Sequence, residues 1–259
     1  MSTQPQRPTV IKLGGSTLGA HDTSLRDIAD ARRAGRSIVV VHGGGATISA
    51  WLARAGIEAR FVRGLRATDA ASLEIVVGVL GGLVNKQLVA QLSALGAPAI
   101  GISGADSLIL QARRYDGDLG YVGQIVRVNP YAIEELLRLG HLPVIAPIAI
   151  EPESAQLLNT NADTAAGEIA AALNAERLVF LTDVEGVLDG EKRLLAHLAA
   201  RQAEELIASG VAGGGMIPKL EAAVRAATSA CATRIVDGTA AGALADVLAN
   251  EDVGTTITA

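Results

Sequence analysis

The stretch Ser37-Ile38-Val39-Val40-Val41-His42-Gly43-Gly44-Gly45 decides the fold class. Four consecutive β-branched residues without polar alternation are what a parallel strand covered on both faces requires. Three glycines end the run, and Ala46–Ala55 continues with a helical pattern. Upstream, Thr9–Leu13 repeats the arrangement: an apolar run, then Gly14-Gly15-Ser16, then a helical pattern over Ser24–Ala34. Downstream, the pattern predicts a long helix over about Asp69–Leu95 and a strand at Ala97–Ile102. Ser107–Val128 reads as hairpins, with turn signals at Asp116-Gly117-Asp118 and Gly120. A helix over Pro130–Leu139 and an apolar strand region over Pro143–Ile150 follow. Beyond them come a helix at Asn161–Leu173 and strands at Arg177–Thr182, Thr233–Asp237 and Gly254–Ile257. Strand–glycine–helix alternation along a whole chain predicts an α/β fold, a three-layer αβα sandwich on a mainly parallel central sheet. Residues 1–259 are expected to form a single domain with no proline- or serine-rich linker. Its N-terminal lobe is expected to cover about 1–155 and its C-terminal lobe about 156–259. The polar stretch Glu151–Leu158 marks the boundary. Ligands in such sheets gather at the carboxyl ends of the strands.

Composition narrows the function classes. A formal net charge of -5 offers no basic block to neutralise phosphates, which argues against a nucleic-acid partner. No apolar run reaches the roughly 18–20 residues of a membrane helix. The polar segment Met1–Pro8 lacks the apolar core of a signal peptide. Cys231, the single cysteine, fits a reducing compartment and a small core residue. These features together predict a cytoplasmic protein. Of 22 basic residues only Lys12, Lys86, Lys192 and Lys219 are lysines. The chain uses arginine as its general cation, and a lysine inside a glycine-rich stretch raises a specific question.

Six motifs carry candidate chemistry. Lys12-Leu13-Gly14-Gly15-Ser16 ends a strand, where backbone N–H groups can cradle an anion and a lysine adds a point charge. A tight turn with a solvated lysine explains it equally well. His42-Gly43-Gly44-Gly45 strips every side chain from a strand–helix loop, so its amides can face an anionic group. The same tetrapeptide type builds oxyanion holes in hydrolases that carry a Gly-x-Ser-x-Gly elbow. Gly101-Ile102-Ser103-Gly104-Ala105 lacks the last glycine, which weakens that reading. His42 is assigned only an orienting role. Neither a P-loop nor a dinucleotide fingerprint occurs. In Arg63-Gly64-Leu65-Arg66-Ala67-Thr68-Asp69, Arg66 can grip a carboxylate with two parallel hydrogen bonds, or simply be a surface arginine. Asn159-Thr160-Asn161-Ala162-Asp163 opens a helix, where capping alone favours Asn or Asp, yet the alternation places three polar groups on one side. Thr182-Asp183-Val184-Glu185-Gly186-Val187 leaves a strand in a polar loop suited to an adenosine. Gly213-Gly214-Gly215-Met216-Ile217-Pro218-Lys219 brings a second lysine up to a glycine-rich helix start.

In that order, these motifs resemble the amino-acid kinase family, and as a set they are similar to its acetylglutamate kinases. The resemblance runs from about Thr9 to Ile257. Gly64-Leu65-Arg66-Ala67-Thr68-Asp69, Asp118-Leu119-Gly120-Tyr121-Val122-Gly123, Val128-Asn129-Pro130 and Asn159-Thr160-Asn161-Ala162-Asp163 carry most of it. It implies ATP-dependent phosphorylation of the side-chain carboxylate of N-acetyl-L-glutamate, a step of arginine biosynthesis. The N-terminal lobe would hold the acceptor and the C-terminal lobe the ATP. By resemblance, Lys12 would bridge the attacking carboxylate and the γ-phosphate, Lys219 would stabilise the leaving side, and Asp163 would hold both ammonium groups. Gly15, Gly44 and Gly45 would donate N–H groups to the phosphoryl group. Arg66 would bind the substrate α-carboxylate and Asn159 its amide, with Asn161 alongside. Asp183, Val184, Glu185, Gly186, Val187, Leu188, Val211, Ala212 and Gly213 would line the nucleotide. Mg2+ would ride on the phosphates rather than on protein carboxylates, so no protein metal site is expected. Sister kinases acting on carrier-linked aminoadipate or glutamate, and a non-catalytic sensor on the same fold, are the rival readings. Retained Lys12, Asp163 and Lys219 argue against the sensor, because a pure binder needs no charge clamp.

Assembly is the remaining expectation. The helix at about 69–95 is apolar on nearly every face, which predicts a homodimer packed across it. Arginine-inhibited members of the resembling family form hexamers through a helix preceding the first strand. Met1–Pro8, with two prolines, is too short and stiff for one, so a dimer insensitive to arginine is expected, although Val253-Gly254-Thr255-Thr256 resembles the tail of inhibited members.

Overall fold

The computed structural model describes residues 7–14, 23–62, 64–229 and 231–259. Gly15, and the Met1–Gln6 part of the segment on which the arginine expectation rests, lie outside the described residues.

Eight strands form the central sheet, in the spatial order His197–Ala199, Thr255–Thr258, Ala232–Asp237, Arg177–Thr182, Thr9–Leu13, Ile38–His42, Leu142–Ala146 and Ala99–Ser103. Every neighbouring pair is parallel except Ala232–Asp237 with Thr255–Thr258. Side chains alternate across the strands with period two. Val10, Val39, Val41, Ile145, Leu178, Phe180 and Ile235 enter one core, under the helices Tyr131–Arg138, Ala162–Ala172, Ala200–Ala208 and Met216–Ala227. Ile11, Ile38, Val40, Val144, Val179, Leu181 and Val236 enter the other. That second core is covered by Ser24–Arg33, Gly45–Arg54, Ala243–Leu248 and the long helix Ala70–Ala94. The three-layer αβα sandwich with a mainly parallel sheet is therefore what the sequence patterns required.

A second sheet of four strands, in the order Gln156–Asn159, Ile148–Glu151, Leu110–Arg114 and Gly123–Val128, rises beside the carboxyl ends of the central strands. The apolar region Pro143–Ile150 is split by Pro147: Leu142–Ala146 belongs to the central sheet and Ile148–Glu151 to the second. The expected lobe boundary at Glu151–Leu158 falls on the hairpin joining Ile148–Glu151 to Gln156–Asn159, an antiparallel pair. Thr9–Leu13 sits between Arg177–Thr182 and Ile38–His42, so the central sheet runs unbroken through both halves of the chain.

The long helix starts as expected, with Asp69 Oδ1 accepting from the Ser72 backbone N–H at 2.8 Å. By length and mean hydropathy (1.5) this helix is also apolar enough to cross a membrane. Val76, Val79, Leu80, Val84, Leu88 and Leu92 of it are buried in the second core. Between Ala70–Val77 and Asn85–Ala94 it widens into a π-helical stretch, Gly78–Val84. Such widening is a recurring companion of functional sites. Here it drives Leu80 toward the glycine loop: a Cβ at Gly44 would lie 2.7 Å from Leu80 Cδ2.

Candidate active site

Lys12 shares the sheet face of Val10, so its side chain turns toward the layer that holds the helix Ala162–Ala172. Asp163 opens that helix. Its Oδ1 lies 2.7 Å from Lys12 Nζ, an ionic contact off hydrogen-bond alignment. Its Oδ2 accepts a hydrogen bond from Lys219 Nζ at 3.1 Å. The structure thus brings both glycine-loop lysines onto one carboxylate. The three side chains are about nine-tenths shielded from solvent. Lys219 reaches Asp163 because the helices Ala162–Ala172 and Met216–Ala227 touch closely: a Cβ at Gly167 would fall 2.7 Å from Ala222 Cβ. Lys219 Nζ also donates to Gly215 O at 3.2 Å.

Above this cluster lies a cleft of about 180 Å3, small against the pockets of drug-sized ligands and suited to a small metabolite. Gly43, Gly44 and Gly45 form one wall. No side chain caps the helix that starts at Gly45, so its first N–H groups are open to an anion. The helix starting at Met216 is likewise without a side-chain cap. His42 supports the glycine loop from beneath. It is 1% exposed, with Nδ1 2.9 Å from Gly43 O and Nε2 3.2 Å from Asn85 Nδ2. Since Asn85 Nδ2 can only donate, Nε2 accepts and Nδ1 carries the proton. Burial pushes the imidazole pKa down to about 4, so His42 is neutral and orienting rather than acidic.

Arg66 lines the cleft beside the glycine loop. Its Nη2 donates to Gly45 O and to Ser49 Oγ, both at 2.9 Å, and its guanidinium stacks 4.6 Å from the Phe61 ring centre. Burial holds its pKa below the ordinary arginine value. Nη1 is shielded from water and has no hydrogen-bond partner among the described residues. A buried cationic donor left without a partner is costly, and a ligand carboxylate is the group a guanidinium best satisfies. Phe61, Leu65, Val122 and Pro147 give the cleft its apolar surface.

Asn159 lines the same cleft and donates from Nδ2 to Thr68 Oγ1 at 3.0 Å. Asn161 also lines it, but its Oδ1 accepts from the backbone N–H groups of Asp163 and Thr164 at 2.8 and 3.0 Å. The capping role considered for this residue is the one its oxygen performs, and it fixes Asp163 under Lys12. Sequence reasoning missed Ser49, Phe61 and the His42–Asn85 pair. Of these only Ser49 had a local signal, lying one helical turn after Gly45.

The residues expected at the nucleotide lie past the carboxyl end of the strand Arg177–Thr182 and before the helix Met216–Ala227. Asp183, Val184, Glu185, Leu188, Val211 and Gly213 are exposed there, while Gly186, Val187 and Ala212 are buried. Val187 enters the core, its N–H donates to Thr255 Oγ1 and its carbonyl accepts from Leu195 N–H, both at 2.8 Å, while Ala212 N–H donates to Leu206 O at 3.0 Å, so both residues shape the loop rather than face a ligand. Among the described residues no group of three or more His, Cys, Asp or Glu side chains is gathered for a metal. Both oxygens of Asp163 already face ammonium groups.

Comparison with known proteins gives the family. Residues 7–237 fit the family profile described as the amino acid kinase family. An acetylglutamate kinase of Dehalococcoides mccartyi is 44% identical over 263 residues, covering 100% of this chain and 97% of the relative. An acetylglutamate kinase of a Synechococcus species is 44% identical over 260 residues, covering 97% and 86%. Among solved structures, the smu.665 protein of Streptococcus mutans superposes with a TM-score of 0.83 at 30% identity, covering 96% of this chain and 98% of that one. A family match over most of the length and near-complete alignment at this identity place the chain: it belongs to the amino acid kinase family, among the acetylglutamate kinases.

Proposed function

We propose that the protein transfers the γ-phosphoryl group of ATP to the side-chain carboxylate of N-acetyl-L-glutamate, forming the acyl phosphate as a cytoplasmic step of arginine biosynthesis. The observation that carries this reading is the pair of lysines held on one buried carboxylate, with Lys12 and that carboxylate lining a cleft walled by open glycine amides. Phosphoryl transfer asks a protein mainly to position reactants and to neutralise charge on the transferring oxygens. Lys12, at a strand end inside the cleft, is placed to meet the attacking carboxylate and the phosphoryl group. Lys219, on the side of the 211–213 loop, meets the leaving phosphate. The N–H groups of Gly44 and Gly45 face the phosphoryl oxygens, with Gly15 assigned to the same task. Arg66 Nη1 takes the α-carboxylate and Asn159 the amide of the acceptor. The exposed side chains of Val184, Leu188 and Val211 supply an apolar seat for adenine. Mg2+ arrives on the nucleotide phosphates. A coupled ADP-release assay offering N-acetyl-L-glutamate, glutamate and aspartate tests the proposal. Turnover with the acetylated acid alone supports it, and preference for either free amino acid overturns it.

The carboxylate grip has its own signature. Arg66→Ala should raise KM for the acceptor far more than KM for ATP, because the grip acts alike in ground and transition states. Equal losses for both substrates in steady-state kinetics assign Arg66 to structure instead.

The same proposal includes a homodimer across the long helix. Its outer side leaves a shallow apolar groove lined by Trp51, Ile75, Gly78 and Leu83, with Trp51 43% exposed. The edge strand Ala99–Ser103 lies in the same half of the sheet, with one side unpaired. Light scattering should give a mass near twice 26.4 kDa. A monomer excludes this interface.

A further inference from the structure

The geometry points to Thr68 as a positioning residue that sets which atom of Asn159 faces the acceptor, making the acceptor's amide N–H a determinant of specificity. This inference rests on the proposed acceptor and deepens it. Thr68 is 1% exposed. Its single hydroxyl proton is donated to Arg66 O at 2.8 Å, and its oxygen accepts from Asn159 Nδ2 at 3.0 Å. A threonine hydroxyl has one proton to give. Were the Asn159 carboxamide reversed, its Oδ1 would need that proton and Arg66 O would be left without it. One orientation satisfies both groups: Nδ2 toward Thr68, Oδ1 toward the cleft.

The backbone around Thr68 leaves the hydroxyl little freedom. Thr68 N–H donates to Leu119 O at 2.9 Å, and Tyr121 N–H donates to Thr68 O at 2.7 Å. Asn159 N–H in turn donates to Tyr121 O at 2.9 Å. Gly120 permits this approach: its φ is +68°, and a Cβ there would fall 2.3 Å from Thr68 O. Thr68 thus ties together the segments that present Arg66, Val122 and Asn159. Among the described residues no donor reaches Asn159 Oδ1. An acceptor-only oxygen in a confined cleft selects a ligand that brings an N–H, and a site built for a hydrogen bond rejects the analogue that lacks it. An acylated amine supplies that donor; an ester oxygen in its place does not.

The test compares N-acetyl-L-glutamate with (S)-2-acetoxyglutarate, its ester counterpart, on the full chain. Wild type should favour the amide by about 10²-fold in kcat/KM, the scale of leaving one buried acceptor unsatisfied. Thr68→Val should lower kcat/KM for the amide by roughly 10–100-fold, mainly through KM, and leave the ester almost unchanged. Thr68→Ser, which keeps the hydroxyl, should retain the wild-type ratio. Thr68→Ala removes the same hydroxyl with less bulk and is read in the same way if the valine variant does not fold. An unchanged amide-to-ester ratio in the hydroxyl-free variants overturns the assignment, as does loss of the ratio in Thr68→Ser. Wild type inactive on N-acetyl-L-glutamate instead overturns the acceptor itself, a result separable from the behaviour of Thr68.

Discussion

Lys12→Ala and Lys219→Ala should each lower kcat by roughly 10²–10³-fold, the scale of losing one preorganised donor to a developing charge. Each ammonium group sits in a site about nine-tenths closed to water, where its interaction with phosphoryl oxygens is screened far less than at the surface. Removing either lysine leaves Asp163 with the other, so the buried carboxylate keeps a counter-ion and the fold is little affected. That contrast separates a catalytic role from a structural one. The two sites are assigned to different ends of the transferring group, yet they share one carboxylate, so the double variant should lose less than the product of the single losses. Single-turnover kinetics beside urea unfolding curves provide the check. A variant that is folded and turns over near the wild-type rate removes that lysine from the mechanism.

Much of this site was legible because its chemistry lies at places where strand patterns stop. Lys12 and His42 lie at the ends of apolar runs, and glycines that no strand or helix interior favours follow His42 directly and Lys12 after Leu13. The motif beginning at Arg63 was conspicuous for a similar reason, with Arg66 just before a capped helix. What spacing could not supply was convergence. Lys12 and Lys219 lie near opposite ends of the chain, and only the helix contact at Gly167 and Ala222 carries the second to Asp163. Elements near the C-terminus were also illegible. Ala243–Leu248 has six residues and the strand His197–Ala199 three, too few to show a period, and Ala200–Ala208, although amphipathic, is only nine residues long. The polar stretch after Ile150 falls on a hairpin, and hairpin turns and linkers share their composition. The π-helical stretch was hidden for a different reason. Gly78, Gly81 and Gly82 weaken a helix without saying how it will yield, and the direction was set by packing of Leu80 on Gly44. Asn161 shows the limit at the level of one atom: the residue was visible, but whether its oxygen served a ligand or the helix start depended on backbone geometry.

Asp163→Asn should be the most damaging single change in the site, because it alters charge without altering shape. The carboxylate is the shared counter-ion of two buried ammonium groups at 2.7 and 3.1 Å. A neutral carboxamide leaves those cations facing each other with no anion between them, and removing one partner from a buried pair costs about 3–5 kcal/mol. The Asn161 cap is untouched, since it bonds the backbone N–H at 163 and 164 rather than the side chain. The helix start should therefore persist while the two lysines move apart, and kcat should fall by at least about 10³-fold, more than for either lysine alone. A second consequence distinguishes charge from packing. Phosphate groups of ATP bring negative charge to the same two lysines, so ATP should raise the melting temperature of Asp163→Asn by more than it raises that of wild type. Unfolding curves with and without nucleotide measure both effects. A wild-type urea midpoint together with an unchanged nucleotide shift would mean that Lys12 and Lys219 do not depend on Asp163 for their placement, and the clamp would have to be assigned to other groups.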